Sequence, residues 1–144
     1  MDKKGILVVA EPKDGKVANV TLESITQARK LAAGPVSVVV MGDDASGQTA
    51  AVTKYGADKV FVVESPEVAV FRPGPFADAA AAAAKAADPA LVLCAGSPDG
   101  RDIASALAAR LGAGLLVDVT GLEVKDDGAG AQRIADFLAT AKMI

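Results

Sequence analysis

The sequence has no histidine, no tryptophan and one cysteine. Without histidine, the commonest neutral-pH acid/base group and the commonest metal ligand are both missing. A single cysteine excludes an internal disulfide and suits a reducing compartment. That residue, Cys94, lies in the apolar run Leu91-Val92-Leu93-Cys94-Ala95. It reads as a small buried hydrophobe and not as a nucleophile, because burial raises a thiol pKa and no imidazole is present to activate it. Aromatic residues make up only 3% of the chain, so its core must be aliphatic. Basic clusters are absent and the net charge is −3, which argues against a nucleic-acid or anionic-membrane partner. Long apolar runs are absent too. The N-terminal run Ile6-Leu7-Val8-Val9-Ala10 stops at Glu11-Pro12, which fits neither a signal peptide nor a spanning helix, and a cytoplasmic location is expected. The carboxylates show no metal-ligand spacing, and there is no Walker loop and no GxGxxG.

What is present alternates regularly. The 144 residues, about half of them apolar, fit one domain with a substantial core. Buried strands are predicted over Gly5–Ala10, Val36–Met41, Lys59–Val63, Leu91–Ala95 and Leu115–Val117. Helices are predicted after Thr21, which can serve as a cap, from about Ala45 to Tyr55 with Gly56 as the C-cap, over Phe76–Ala87, and after the Gly96–Asp102 loop. The Ala79–Ala84 run has the best helix propensity and reads as a scaffold helix. Residues Glu64–Pro75 read as a surface loop. Strands alternating with helices give an α/β three-layer sandwich around a mostly parallel sheet. A short strand is expected at Thr120–Lys125 and a turn at Asp126–Gly128. Ile134, Phe137, Leu138 and Ala141 then recur at helical spacing, so residues 129–144 are expected to be a short helical tail beyond a domain of residues 1–128.

The segment from Leu91 to Val117 organises the rest: apolar run, glycine loop, amphipathic helix, apolar run, which is a βαβ unit. Open parallel sheets bind ligands at such strand-to-helix loops. Gly96, Ser97, Gly100, Arg101 and Asp102 are therefore the candidate nucleotide-binding residues. Glycines let a backbone approach a ligand, the helix N-terminus favours an anion, Ser97 offers a hydroxyl and Arg101 a bidentate contact to phosphate. The same loop has a structural reading, in which Asp99 caps the helix, Asp102 complements its dipole and Gly100 serves the turn. Glu11, Lys13 and Asp14 follow another strand at the same sheet edge and are weaker candidates. Asp118 could pair with Arg101 or Arg110. No group is placed as a paired acid and base, so no catalytic residue and no metal ligand is assigned.

Several segments in order resemble one family. They are Ile6–Ala32, the run Val36-Ser37-Val38-Val39-Val40-Met41-Gly42, Tyr55–Pro66, and above all Gly96–Val124, GSPDGRDIASALAARLGAGLLVDVTGLEV. Together they are similar to the N-terminal domain of the electron transfer flavoprotein alpha subunit. The resemblance implies an adenine-nucleotide alpha-hydrolase-like fold and a heterodimer with a beta subunit. It also implies FAD as the electron carrier, with the protein placing and tuning it. In that family FAD is held mainly by a second, C-terminal domain, whose motif has no counterpart here, so this chain alone is not expected to bind FAD. The related beta subunit uses the loop matching Gly96–Asp102 in an AMP site. AMP is therefore a possible ligand, and a stand-alone adenine-nucleotide module of the stress-protein type is the rival reading. Self-association is a further possibility.

Overall fold

The computed structural model describes residues 4–13, 16–119 and 137–141. Its centre is β1 (Ile6–Val9), four residues that are all buried. A continuous apolar strand of this kind is stable only when neighbours cover both its faces and both its edges. Parallel partners pair with it on each side: Ile6 is in register with Val36 of β4 (Val36–Gly42) and with Leu91 of β6 (Leu91–Ala95). Between β1 and β4 come a two-strand antiparallel hairpin, β2 (Pro12–Lys13) and β3 (Lys16–Val17), and helix α1 (Asn19–Leu31). After β4 a 3₁₀ turn at Ser46–Gln48 leads into α2 (Thr49–Lys54) and then β5 (Lys59–Glu64). Helix α3 (Pro73–Ala87) returns the chain to β6, and α4 (Pro98–Leu111) leads to β7 (Gly114–Val119). The last described element is β8 (Phe137–Ala141).

The six-stranded sheet has the order β5-β4-β1-β6-β8-β7, and every pairing in it is parallel. Alternation along each strand splits the core in two. Leu7, Val9, Val39, Met41 and Val92 face α3 and α4, against Phe76, Ile103 and Leu107. Ile6, Val8, Val36, Val38 and Leu93 face α1 and α2, against Ile25, Ala28 and Val52. This is the expected three-layer α/β sandwich. In α3, Ala77, Ala80, Ala81, Ala83 and Ala84 are buried. Their small side chains let that helix lie close to the sheet and to α4.

Some expectations need correction. Residues Phe137–Ala141 form a strand seated between β6 and β7, where a helical tail was expected. The spacing of Ile134, Phe137, Leu138 and Ala141 suits a helix, but FLATA is also a continuous run of the kind a doubly paired strand needs, and pairing on both sides decides it. Thr21 is not a cap: α1 starts at Asn19, and Thr21 Oγ1 instead accepts from the Glu11 N–H at 3.1 Å. The expected loop 64–75 contains a 3₁₀ turn at Pro66–Val68 that buries Val68, and α3 begins at Pro73. The strand expected at Thr120–Lys125 and the turn at Asp126–Gly128 lie outside the described residues. Among the described residues no helix is long and apolar enough to cross a membrane.

Leu107 is completely buried between α4 and the sheet, whereas Val70 is 73% exposed. Leu107→Ala should cost about 2–5 kcal/mol of stability, and Val70→Ala less than about 0.5 kcal/mol, measured by urea denaturation.

Candidate functional site at the topological switch point

The chain leaves β1 toward β4 and β5, and leaves β6 toward the opposite edge. The loops after β1 and β6 therefore diverge from neighbouring strands, which is where an open parallel sheet leaves a crevice. Ala10-Glu11 follows β1 and Gly96-Ser97 follows β6, so the two candidate loops meet here.

The Gly96–Asp102 segment is shorter as a loop than expected. Helix α4 begins at Pro98, with proline at a first-turn position where its missing N–H costs nothing. Ser97, not Asp99, is the N-cap: its Oγ accepts from the Gly100 N–H at 3.0 Å. Asp99 takes the dipole-complementing place in the first turn, whereas Asp102 is exposed on the second. Gly100 lies inside the helix. A Cβ there would stand 2.1 Å from the Ala95 carbonyl oxygen. Glycine is thus required because α4 begins directly against the end of β6.

The same hydroxyl has a second partner. Ser97 Oγ donates to Glu11 Oε2 at 2.6 Å, joining residues 86 positions apart. Glu11 is itself held at both backbone groups: its N–H donates to Thr21 Oγ1, and its carbonyl accepts from the Ala18 N–H at 3.0 Å. Arg101 pairs with Asp118, one of the two partners foreseen for that carboxylate; Arg110 pairs with Asp78 at 2.7 Å. Asp118 has φ 57° beside an irregularity in β7, a conformation aspartate tolerates better than most residues. Lys13 is exposed on the β2–β3 hairpin, and Asp14 lies outside the described residues. Among the described residues no group of acidic residues or cysteine is arranged to hold a metal ion.

Cys94 lies beneath this edge, fully buried. Burial, reinforced by the nearby Glu11 carboxylate, pushes its thiol from 9.0 up to about 12. It is neutral and inert at ordinary pH, as its place in an apolar strand led one to expect. Missing from the sequence reading was the direct contact of Glu11 with Ser97. The available signal was that both residues follow central strands at one sheet edge.

The fold defines an open, parallel α/β domain with its two loops joined at the switch point. A family model described as the electron transfer flavoprotein domain matches residues 6–142. The chain belongs to that family. It is 35% identical over 130 residues to the electron transfer flavoprotein subunit alpha of Thermoanaerobacterium thermosaccharolyticum, covering 88% of this chain and 39% of that protein. The corresponding subunit of Mycobacterium tuberculosis is 38% identical over 129 residues, covering 90% and 40%. The lactate dehydrogenase (NAD(+),ferredoxin) subunit LctC of Acetobacterium woodii is 35% identical over 127 residues, covering 86% and 30%. The chain thus spans two fifths or less of the length of these relatives.

Two outcomes follow from the geometry. Gly100→Ala should cost about 1–3 kcal/mol, because the two nearest atoms, the carbonyl oxygen and carbon of Ala95, are backbone and cannot give way, and Ser97→Ala about 1–2 kcal/mol through the lost cap. The raised thiol pKa stabilises the fold fully below about pH 9, where both states are protonated, and this contribution is lost as pH rises toward about 12. Alkaline denaturation curves should therefore fall less steeply for Cys94→Ala than for the native chain.

Proposed function

We propose that this chain is the N-terminal domain of an electron transfer flavoprotein alpha subunit. In this role it is an assembly scaffold that docks with a beta subunit, in the cytoplasm, to support FAD-based electron transfer. The observation that carries the reading is the family match over residues 6–142, together with relatives that are alpha subunits.

The switch point favours a scaffold over a cofactor site. The residues there do not fit the phosphates of FAD or AMP. The Glu11 carboxylate already sits on the Ser97 hydroxyl at the start of α4, where an anion would be attracted. The guanidinium that would have neutralised a phosphate, that of Arg101, is paired with Asp118. A phosphate entering here would meet a negative charge and displace a hydrogen bond. On this reading Gly96, Ser97, Gly100, Arg101 and Asp102 shape the sheet edge, the chain contributes no catalytic group, and FAD is held by other parts of the family assembly.

The chain should co-elute with the beta subunit of its own organism in size-exclusion chromatography, and should purify without bound flavin. Stoichiometric FAD on the isolated chain, or failure to bind any beta subunit, would sink the proposal. Equilibrium dialysis against AMP tests the rival nucleotide-module reading: saturation at or below about 1 mM would favour that module.

A further inference from the structure

A groove of ≈ 250 Å³ lies away from the switch point, on the outer flank of α1. It lies between α1, of 13 residues, and Tyr55 at the end of the 6-residue α2. Asn19, Leu22, Glu23, Thr26 and Gln27 line it from α1, one stripe at i, i+3, i+4, i+7 and i+8. Tyr55, which caps the C-terminus of α2, forms the remaining wall and is 47% exposed.

The chemistry of the lining is one-sided. Among the described residues Glu23 carries the groove's only formal charge, and no ion pair or hydrogen bond engages its side chain. The residues three and four positions away toward the groove, Asn19, Thr26 and Gln27, offer no cation. The Thr26 hydroxyl spends its proton on the Leu22 carbonyl at 3.1 Å, leaving its oxygen as an acceptor. A carboxylate, amide and hydroxyl acceptors, the half-buried Leu22 and a partly exposed phenol ring together suit a planar cation. The volume is below the range usual for a drug-sized ligand and matches one long side chain. Guanidinium suits the place better than ammonium, since it can stack on the ring and fork onto the carboxylate together.

We propose that this groove is a docking site for an arginine side chain presented by a partner protein. The proposal rests on the groove alone and stands apart from the assembly role given above. The test is an amide-proton NMR titration of the whole chain at constant ionic strength. The probes are the blocked tripeptide acetyl-Ala-Arg-Ala-amide, its citrulline counterpart, its lysine counterpart, and free arginine. The arginine tripeptide should give saturable shifts at Leu22, Glu23, Thr26, Gln27 and Tyr55, and the neutral citrulline peptide none. Glu23→Gln, a surface change that leaves the helix intact, should weaken binding about tenfold, as should Tyr55→Ala. Shifts scattered over the surface, equal response to citrulline or lysine, or undiminished binding by Glu23→Gln would overturn the proposal. So would binding of free arginine without the tripeptide, which would mark a metabolite site instead.

Discussion

A parallel strand with no polar face must be covered on both sides, and β1 imposes that demand on the whole molecule. All four of its residues are buried, with Leu7 turned to one helical layer and Val8 to the other. Parallel neighbours cannot be joined by tight turns, so each connection is a crossover that lays a helix on a face. To cover both faces the chain has to go one way from β1 and then come back past it. Helices α1 and α2 accompany the outward path, and α3 and α4 the return. The reversal between β1 and β6 creates the switch point. The place where a ligand would be sought thus follows from the need to bury one strand twice.

What occupies that place is a set of internal contacts between the two loops. At the start of α4 the Ser97 hydroxyl accepts from the Gly100 N–H and donates to Glu11. Gly100 lets α4 press against the carbonyl at the end of β6, leaving no room even for a methyl group. A glycine and a serine at a strand-to-helix turn are thus used for packing and capping, with the first loop strapped to the second. The chain belongs to the electron transfer flavoprotein family, and the scaffold role proposed for it above rests on this closed edge. Beside α1, the groove has one formal charge among the described residues, Glu23, with no ion-pair partner among them.

Much of this was legible along the chain. The runs at Ile6–Val9, Val36–Met41 and Leu91–Ala95 are continuous and β-branched or aliphatic, and each became a central strand. Ile103 and Leu107, one turn apart, became the core face of α4. The Arg101–Asp118 pair was one of two options open to Asp118, since α4 and β7 are sequential and their ends return to the same edge. Residues 137–141 were misread because their apolar spacing satisfies a helix and a strand alike, and only a partner on each side separates the two. The cap was misread by two positions because Ser97 and Asp99 are both good caps, and which one is used depends on where α4 meets β6.

The sequence by itself determined the class of the domain, the order of nine main elements from β1 to β7 (the β2–β3 hairpin and the 3₁₀ turns aside) and the family to which it belongs. Those properties depend on local periodicity and on collinear motifs, which survive without knowledge of contacts. Tertiary structure alone decided that β8 enters between β6 and β7 and that Glu11 meets Ser97 across 86 residues. Each of these turns on which distant groups become neighbours when the two faces of the sheet are buried, and no local pattern of residues encodes that distance.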